Sequence, residues 1–171
     1  MKNIGYQIAR IKSKILKSHE IIVDYYRRGG VKIGNNCTIC SYLLTKEPFL
    51  IEIGDETIIS TNVTFVTHDN SAKLVFGSRG DVYGKILIGN NCFVGQNSTI
   101  LYGVSLADNI IVAAGSVVTR SFNDSNIIIG GNPARVISSW DKFKEKYESN
   151  AIRRNEMLKQ IENDSTFLVR R

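Results

Sequence analysis

The most regular feature of this chain is an apolar residue that returns every six positions through its middle. Reading from Ile88 gives six consecutive hexads, each opened by an aliphatic residue: IGNNCF, VGQNST, ILYGVS, LADNII, VAAGSV and VTRSFN. The same phase appears from Ile53 as IGDETI, ISTNVT and FVTHDN, and from Ile33 as IGNNCT and ICSYLL. This period fits neither the repeat of an amphipathic helix nor the alternation of a simple hairpin.

A six-residue period predicts a parallel β-helix, in which three hexads close one triangular coil. The first residue of each hexad points inward and stacks on its equivalents in the neighbouring coils, about 4.8 Å away. Asn and Gly at the corners supply the backbone conformations that sharp bends require. The fifth place should also be compact and semi-buried. Asp69 is the exception there, and the other residues are Cys37, Thr57, Val63, Cys92, Ser98, Val104, Ile110 and Ser116.

The segments on either side of the hexads have other patterns, which divide the chain into three predicted regions. Residues 1–30 carry an apolar stripe at helical spacing, among basic residues and before Gly29 and Gly30: Ile4, Ile8, Ile11, Ile15, Ile22 and Tyr26. We favour a helix that caps the open solenoid end over one lying on an anionic membrane. Residues 31–138 form the predicted β-helix, with a loop insertion at 70–86. Residues 139–171 form a helical segment, with a break near Asn150.

Composition narrows the class of protein. The chain has 171 residues, 43% of them apolar, which suits one domain with a buried core. Its net charge of +6 and pI near 9.3 suggest an anionic partner. Nucleic acid is not expected, because no aromatic platform accompanies the charge.

With no secretory signal and no stretch long enough to span a membrane, a cytoplasmic location is expected. Cys37, Cys40 and Cys92 are expected to be reduced, and no metal site is expected, because CTIC has no second pair or nearby histidine.

The hexad FVTHDN differs from the others because it places His68 beside Asp69, after which the pattern stops until Ile86 or Ile88. His68 holds the fourth place, on or near the outer wall, and a long loop on a rigid scaffold is where sites are assembled. A neutral imidazole can take a proton from an attacking hydroxyl. Asp69 could orient this imidazole, but neighbouring residues on a strand point to opposite faces, so a purely local role at the loop exit is equally open.

The anchored hexads, followed by AAGSVVTRSF and GGNPARVI, resemble the bacterial hexapeptide-repeat acyltransferases over residues 31–140. FVTHDN, the loop ending in DVYGKILIGNNCFVG, and NPARVI are similar to the branch that includes maltose and galactoside acetyltransferases and the O-acetyltransferases of capsule and lipopolysaccharide synthesis. The resemblance implies an all-β fold, a left-handed parallel β-helix with an N-terminal capping helix and a C-terminal helix, assembled as a homotrimer. It also implies acetyl transfer from acetyl-CoA directly to a saccharide hydroxyl, with His68 as the general base, in surface polysaccharide or glycolipid biosynthesis.

The resemblance further implies the residues that bind the two substrates. Gln96 would face the thioester carbonyl through its backbone N–H, and the other coenzyme contacts would be Ala114 and Ser116 along the pantetheine arm, Thr119 and Arg120 near the adenine end, and Arg135 at a phosphate. Ser138 stands where many relatives have another basic residue. The loop would line the acceptor, with Asn70 and Tyr83 as candidate contacts and Lys73 or Arg79 for an acidic acceptor.

Three other functions compete with this one. An N-acetyltransferase acting on an amino sugar or an antibiotic stays open, because an amine also has to lose a proton. A β-helix of the carbonic anhydrase type would need three metal-binding histidines, and this solenoid has only His68. A non-catalytic scaffold or binding protein would keep regular faces without a loop that bears a histidine.

Overall fold

The structure, a computed structural model, describes residues 4–43, 45–77 and 80–163; the other residues, Arg79 of the loop among them, lie outside the described part. The chain divides into two compact units, Met1–Ser138 and Ser139–Arg171.

Three mainly parallel sheets build the first unit. The first sheet holds β1 (Lys32–Ile33), β3 (Ile51–Ile53), β8 (Ile86–Ile88) and β11 (Ser105–Leu106). The second holds β2 (Thr38–Ile39), β4 (Ile58–Ile59), β9 (Phe93–Val94), β12 (Ile110–Val112), β14 (Ile127–Gly131) and β15 (Ala134–Ser139), and the third holds β5 (Thr64–Val66), β10 (Thr99–Leu101) and β13 (Val117–Val118).

The chain visits the three sheets in turn, so it winds as a stack of coils. In the later coils the register pairs residues three hexads apart, as in Leu87 with Ser105, Phe93 with Ile111, and Thr99 with Val117. The first coil is two residues longer and pairs Ile39 with Ile59, while the coil that contains the loop pairs Ile53 with Ile88. Three hexads therefore make one coil, as the period predicts.

The hexad anchors form the core of this stack. All of them are buried and pair with one another in register: Ile33, Ile53, Ile88 and Leu106 in the first sheet, Ile39, Ile59, Val94 and Val112 in the second, and Phe65, Ile100 and Val118 in the third. The compact fifth-place residues are buried as well, and Asp69 is only partly buried. The burial predicted for both places is confirmed.

The coil turns its corners with the backbone conformation that the sequence predicts. Positive φ angles occur at the fourth place of hexads, where the chain has Asn36, Glu56, Asn62, Asn91, Asn97, Gly103, Asn109 and Gly115. Glu56 is the one residue among them that is neither Asn nor Gly. Side chains also link successive coils at the corner between the first and second sheets. There, Asp55 N donates to Asn90 Oδ1 at 2.8 Å, and Asn90 N donates to Asp108 Oδ1 at 2.7 Å.

Two other corners border the third sheet. We call the corner that precedes it the glutamine corner (residues 61–62, 96–97 and 114–115), and the corner that follows it the histidine corner (residues 67–68, 102–103 and 120–121). Backbone hydrogen bonds stack the glutamine corner, with Asn97 N donating to Thr61 O at 3.1 Å and Gly115 N to Gln96 O at 2.8 Å.

The coil opens at the histidine corner. His68 is extended there, in β6 (His68–Asp69), which pairs antiparallel with β7 (Val82–Tyr83), and α3 (Ala72–Phe76) lies between the two strands. Gly84 and Lys85 then complete the corner, because Gly84 N donates to Thr67 O at 3.2 Å and Gly103 N to Lys85 O at 3.0 Å. The loop thus returns to the place that it left.

The N-terminal region forms two helices, α1 (Ile4–Leu16) and α2 (Glu20–Arg28), where the sequence suggests one stripe. Lys17 lies between them with a φ of 49°, which ends α1 and turns α2 out of phase with it. α2 packs on β1 and β2 with Ile22 and Tyr26 buried, and the Tyr26 hydroxyl donates to Ser41 O at 2.7 Å.

α1 corrects the sequence prediction. Its isoleucines at positions 4, 8, 11 and 15 are all exposed, and the helix buries Tyr6 and Ala9 instead. The Tyr6 ring lies 5.0 Å from that of Tyr42, in a cluster with Tyr25 and Tyr26. The inference that the isoleucine stripe covers the solenoid is therefore wrong for α1.

The second unit contains α4 (Trp140–Tyr147) and α5 (Arg154–Asn163), so the break predicted near Asn150 is confirmed. Ser139 caps α4, with its side chain accepting a hydrogen bond from Lys142 N. Across the described ranges, no helix combines the length and the apolar character that crossing a bilayer would require.

Candidate active site

His68 is held at the opened corner by a carboxylate from the preceding coil. Its Nδ1 lies 2.9 Å from Glu47 Oε2, and the same oxygen accepts a hydrogen bond from the Thr67 hydroxyl at 2.8 Å. The His68 side chain is 24% exposed and that of Glu47 15% exposed. The pair is therefore partly shielded from water, while part of the imidazole stays accessible.

Coil geometry explains why these residues meet. Thr45 starts the third side of its coil, so Glu47 falls at the third place, as Thr67 does in the next coil. In the two following coils, the register places Tyr102 and Arg120 at the equivalent position. Pro48–Leu50 forms a short 3₁₀ turn immediately after Glu47.

The charge of Glu47 determines which ring nitrogen of His68 can accept a proton. Burial alone would raise the pKa of Glu47, but hydrogen bonds from Thr67 and His68 outweigh it and hold that pKa below its ordinary value. Glu47 is therefore an anion near neutral pH and can only accept hydrogen bonds. Nδ1 of His68 must then carry the hydrogen, which leaves the Nε2 lone pair of the neutral ring able to accept a proton.

Asp69 does not hold the imidazole. Its Oδ1 accepts a hydrogen bond from Ser71 N at 2.8 Å, and its Oδ2 accepts one from the Tyr102 hydroxyl at 3.2 Å. The bonds to Ser71, followed by the bond from Tyr102, lower the pKa of Asp69. As strand alternation requires, Asp69 points away from its neighbour His68. Of the two roles open to Asp69, the geometry supports the local one at the loop exit.

The loop brings Tyr83 against the histidine. Tyr83 is the strand partner of His68, and the two ring centroids are 5.5 Å apart, with the Tyr83 ring 53% exposed. The Tyr83 hydroxyl donates to Asp81 at 3.2 Å, which raises the pKa of Tyr83. Lys73 pairs with the same carboxylate at 3.0 Å, so its charge is already partnered. Asn70 is exposed at the loop exit.

The residues expected at the coenzyme lie on both edges of the third sheet. Gln96 and Ala114 are exposed and stacked at the glutamine corner. Thr119 and Arg120 are exposed beside the histidine corner, two coils from Thr67, or roughly 10 Å along the stack. Within one chain, the strands of the third sheet separate these two groups.

Two further coenzyme candidates lie elsewhere. Arg135 is exposed on β15. Ser116 is fully buried inside the coil, where its hydroxyl donates to Ala113 O at 2.6 Å. Its side chain therefore cannot contact a ligand outside the stack.

Glu47 and Tyr102 are the site residues that sequence reasoning missed. Both occupy the third place of a hexad at the histidine corner, so extending the six-residue phase across residues 45–50 would have placed Glu47 beneath Thr67. The segment TKEPFLIE hides this phase because it is two residues longer than a hexad.

Among the residues that the structure describes, the cysteine thiols and other potential metal ligands form no second centre. Cys37 and Cys92 are buried in fifth places, where burial raises the pKa of each, and Cys40 is exposed. In the described portion of the chain, no group of three or more His, Cys, Asp or Glu side chains could hold a metal ion.

Comparisons with known proteins agree with this architecture. Residues 85–120 match the family described as the hexapeptide repeat of succinyl-transferase. Protein CapG of Staphylococcus aureus is 40% identical over 141 residues, which cover 80% of this chain and 81% of CapG. The chain belongs to the hexapeptide-repeat acetyltransferase family.

Two further members of the family are informative. The galactoside O-acetyltransferase of Escherichia coli K12 is 32% identical over 115 residues; the match covers 66% of this chain but only 56% of that enzyme. The structure of the hexapeptide-repeat-containing acetyltransferase VCA0836 of Vibrio cholerae, complexed with acetyl coenzyme A, matches 64% of this chain and 60% of that chain, at 27% identity and a TM-score of 0.54.

Proposed function

We propose that this acetyltransferase moves an acetyl group from acetyl-CoA to a hydroxyl of a saccharide, with His68 as the general base, in surface polysaccharide or glycolipid biosynthesis. The observation that carries the proposal is the His68–Glu47 pair at the opened corner, 2.9 Å apart and beside an exposed loop. The acetyl-CoA complex of the Vibrio cholerae relative supports the donor. The galactoside O-acetyltransferase of Escherichia coli supports the acceptor class.

The reaction needs one base and no acyl-enzyme intermediate. The acceptor hydroxyl attacks the thioester carbonyl, forming the new C–O bond while Nε2 of His68 takes the hydroxyl proton. Glu47 stabilises the resulting imidazolium through Nδ1, and the Tyr83 ring limits the positions of the imidazole. The tetrahedral intermediate then collapses, the C–S bond breaks, and the departing thiolate of coenzyme A receives the proton from Nε2.

The coenzyme would lie between two copies of the chain. In this arrangement the coils wind left-handed, and three copies pack with their third sheets toward a common axis. The histidine corner of one copy then meets the glutamine corner of the next, which brings His68 near Gln96 and Ala114. Arg120 and Arg135 are suited to the phosphates, because guanidinium is a fixed-charge donor for phosphate oxygens.

The outer surface of the third sheet is suited to this assembly. Val66 and Leu101 are register partners, and they, together with Val117 of the next strand, present aliphatic side chains outward that are half-buried in the single chain. By contrast, the outer surface of the first sheet carries charges, with Glu52 paired to Lys32 at 3.0 Å and to Lys85 at 3.1 Å. An apolar surface next to both halves of the site favours self-association there.

The test of activity is release of free thiol from acetyl-CoA with a panel of saccharides and amino sugars. We expect turnover with a hydroxyl acceptor, giving a product whose acetyl group is lost in mild base, as an ester is and an amide is not. His68→Ala should lower kcat about 10²- to 10⁴-fold. Full turnover by His68→Ala would remove the proposed base. A base-stable product would show N-acetylation instead.

The test of assembly is the mass in solution. Leu101→Glu places a charge on the outer surface of the third sheet, and should give monomers that fold but do not turn over. Leu87→Glu is the matched control on the outer surface of the first sheet, and should leave the trimer intact. A trimeric and active Leu101→Glu variant would contradict the shared cleft.

A further inference from the structure

Helix α1 presents its most apolar side to the outside. Ile4, Ile8, Ile11 and Ile15 are between 50% and 79% exposed. At 3.6 residues per turn, they form one stripe that faces roughly opposite to the buried Tyr6 and Ala9. Packing within the chain therefore uses one side of α1 and leaves the other without a described partner.

Positive charge borders this stripe. Viewed along the helix axis, Lys12 and Lys14 lie roughly 80° from the midline of the stripe, one on each side. Arg10 and Lys17 are also exposed. α1 contains no acidic residue. Among the ion pairs of the described residues, none involves these four cations, since Glu20 and Asp24 of the neighbouring helix both pair with Arg27.

We propose that α1 docks on an anionic lipid surface, with its isoleucines in the interface and its lysines on the headgroups. An apolar stripe bordered by lysines on both sides is suited to a membrane, because each long side chain can bury its stem and extend its amine to a phosphate. A second copy of the chain would bring like charges together along the same two borders. The charge pattern therefore selects lipid as the occupant.

The test measures binding of the whole protein to vesicles of phosphatidylcholine alone, and of equal parts phosphatidylcholine and phosphatidylglycerol. We expect binding to the anionic vesicles that weakens with added salt. Ile8→Ser combined with Ile11→Ser should lower the vesicle partition coefficient about a hundredfold. Lys12→Glu combined with Lys14→Glu should lower it at least about tenfold on anionic vesicles. Neither pair of substitutions touches the proposed catalytic groups, so thiol release in solution should be unchanged.

The matched control removes equally exposed aliphatic side chains from the loop. Leu74 and Val75 are 90% and 77% exposed, and the adjacent Lys73 is paired with Asp81. Leu74→Ser combined with Val75→Ser should bind vesicles like the unaltered protein. The proposal is overturned if the unaltered protein ignores anionic vesicles, if the Ile8 and Ile11 variant still binds fully, or if the loop variant loses as much binding. If the unaltered protein does not bind vesicles and the Ile8 and Ile11 variant has a lower mass in solution, the stripe is a contact between copies of the chain.

Discussion

Glu47→Gln tests whether the carboxylate positions His68 for proton transfer. Glutamine keeps the size of the side chain, but it removes the charge that faces the imidazolium and can present an amide donor to Nδ1. A hydrogen bond to a charged partner contributes more than a neutral one, and partial exposure of both side chains reduces that contribution. From these two effects, we expect kcat to fall about ten- to a hundredfold, less than for His68→Ala.

The pattern of kinetic changes separates positioning from folding. We expect the KM for acetyl-CoA to be unchanged while kcat falls, because Glu47 acts on the imidazolium that forms during proton transfer and not on the bound coenzyme. Glu47→Asp should recover part of the rate. Glu52→Gln is the matched control, since Glu52 pairs with lysines on the first sheet and makes no contact with the imidazole. If Glu47→Gln keeps the rate of the unaltered enzyme, the contact between Glu47 and Nδ1 of His68 has no catalytic role.

Three further predictions concern stability, measured by urea unfolding. Glu56→Asn should stabilise the fold by about 0.5–1 kcal/mol, because Asn adopts the positive φ of 56° at this corner with less strain; an unchanged midpoint would contradict this. Gly95→Ala should destabilise the fold by about 3 kcal/mol, because the added Cβ would lie 2.5 Å from Ala114 N. Gly115→Ala is the control: its Cβ would meet no atom within 4 Å, so it should show only the strain of its positive φ. Burial raises the pKa of Tyr26, so the stability that its neutral hydroxyl contributes is complete below about pH 10 and is lost as the pH rises further. Tyr26→Phe removes the hydrogen bond to Ser41 and should lower the free energy of unfolding by about 1 kcal/mol at neutral pH. At alkaline pH, the variant should lose less stability than the unaltered protein.

The coil could be predicted because each hexad repeats the same local requirement. An inward anchor such as Ile59 or Val94 must be aliphatic in every turn, and a bend such as Asn91 or Asn97 must accept a positive φ. A constraint repeated along the chain leaves a period in the sequence. The cores of the three sheets follow from it directly.

The orientation of α1 could not be obtained from its period. Spacing shows that Ile4, Ile8, Ile11 and Ile15 share one side, but not which neighbour that side meets. The opposite side of α1 carries Tyr6, whose ring fits against Tyr25, Tyr26 and Tyr42, and this packing uses residues far apart in the chain. Aromatic packing of this kind leaves no regular spacing in the sequence.

The carboxylate that contacts His68 was missed for a related reason. His68 and Glu47 meet only because successive coils stack, and the coil that carries Glu47 has an irregular third side ending in a 3₁₀ turn. Asp69, the neighbour in sequence, is directed away by strand alternation. Proximity along the chain therefore could not identify the carboxylate that contacts His68.

The two ends of the loop meet at the histidine corner, and this has a consequence for how such enzymes diversify. Thr67 and Gly84 are joined by a hydrogen bond at the foot of the loop, and the turns above and below keep their register without it. A segment anchored in this way can be lengthened, shortened or exchanged between relatives while the scaffold stays the same. Under the proposed function, new acceptor specificities can then arise in this loop while the coil stack below it keeps its packing.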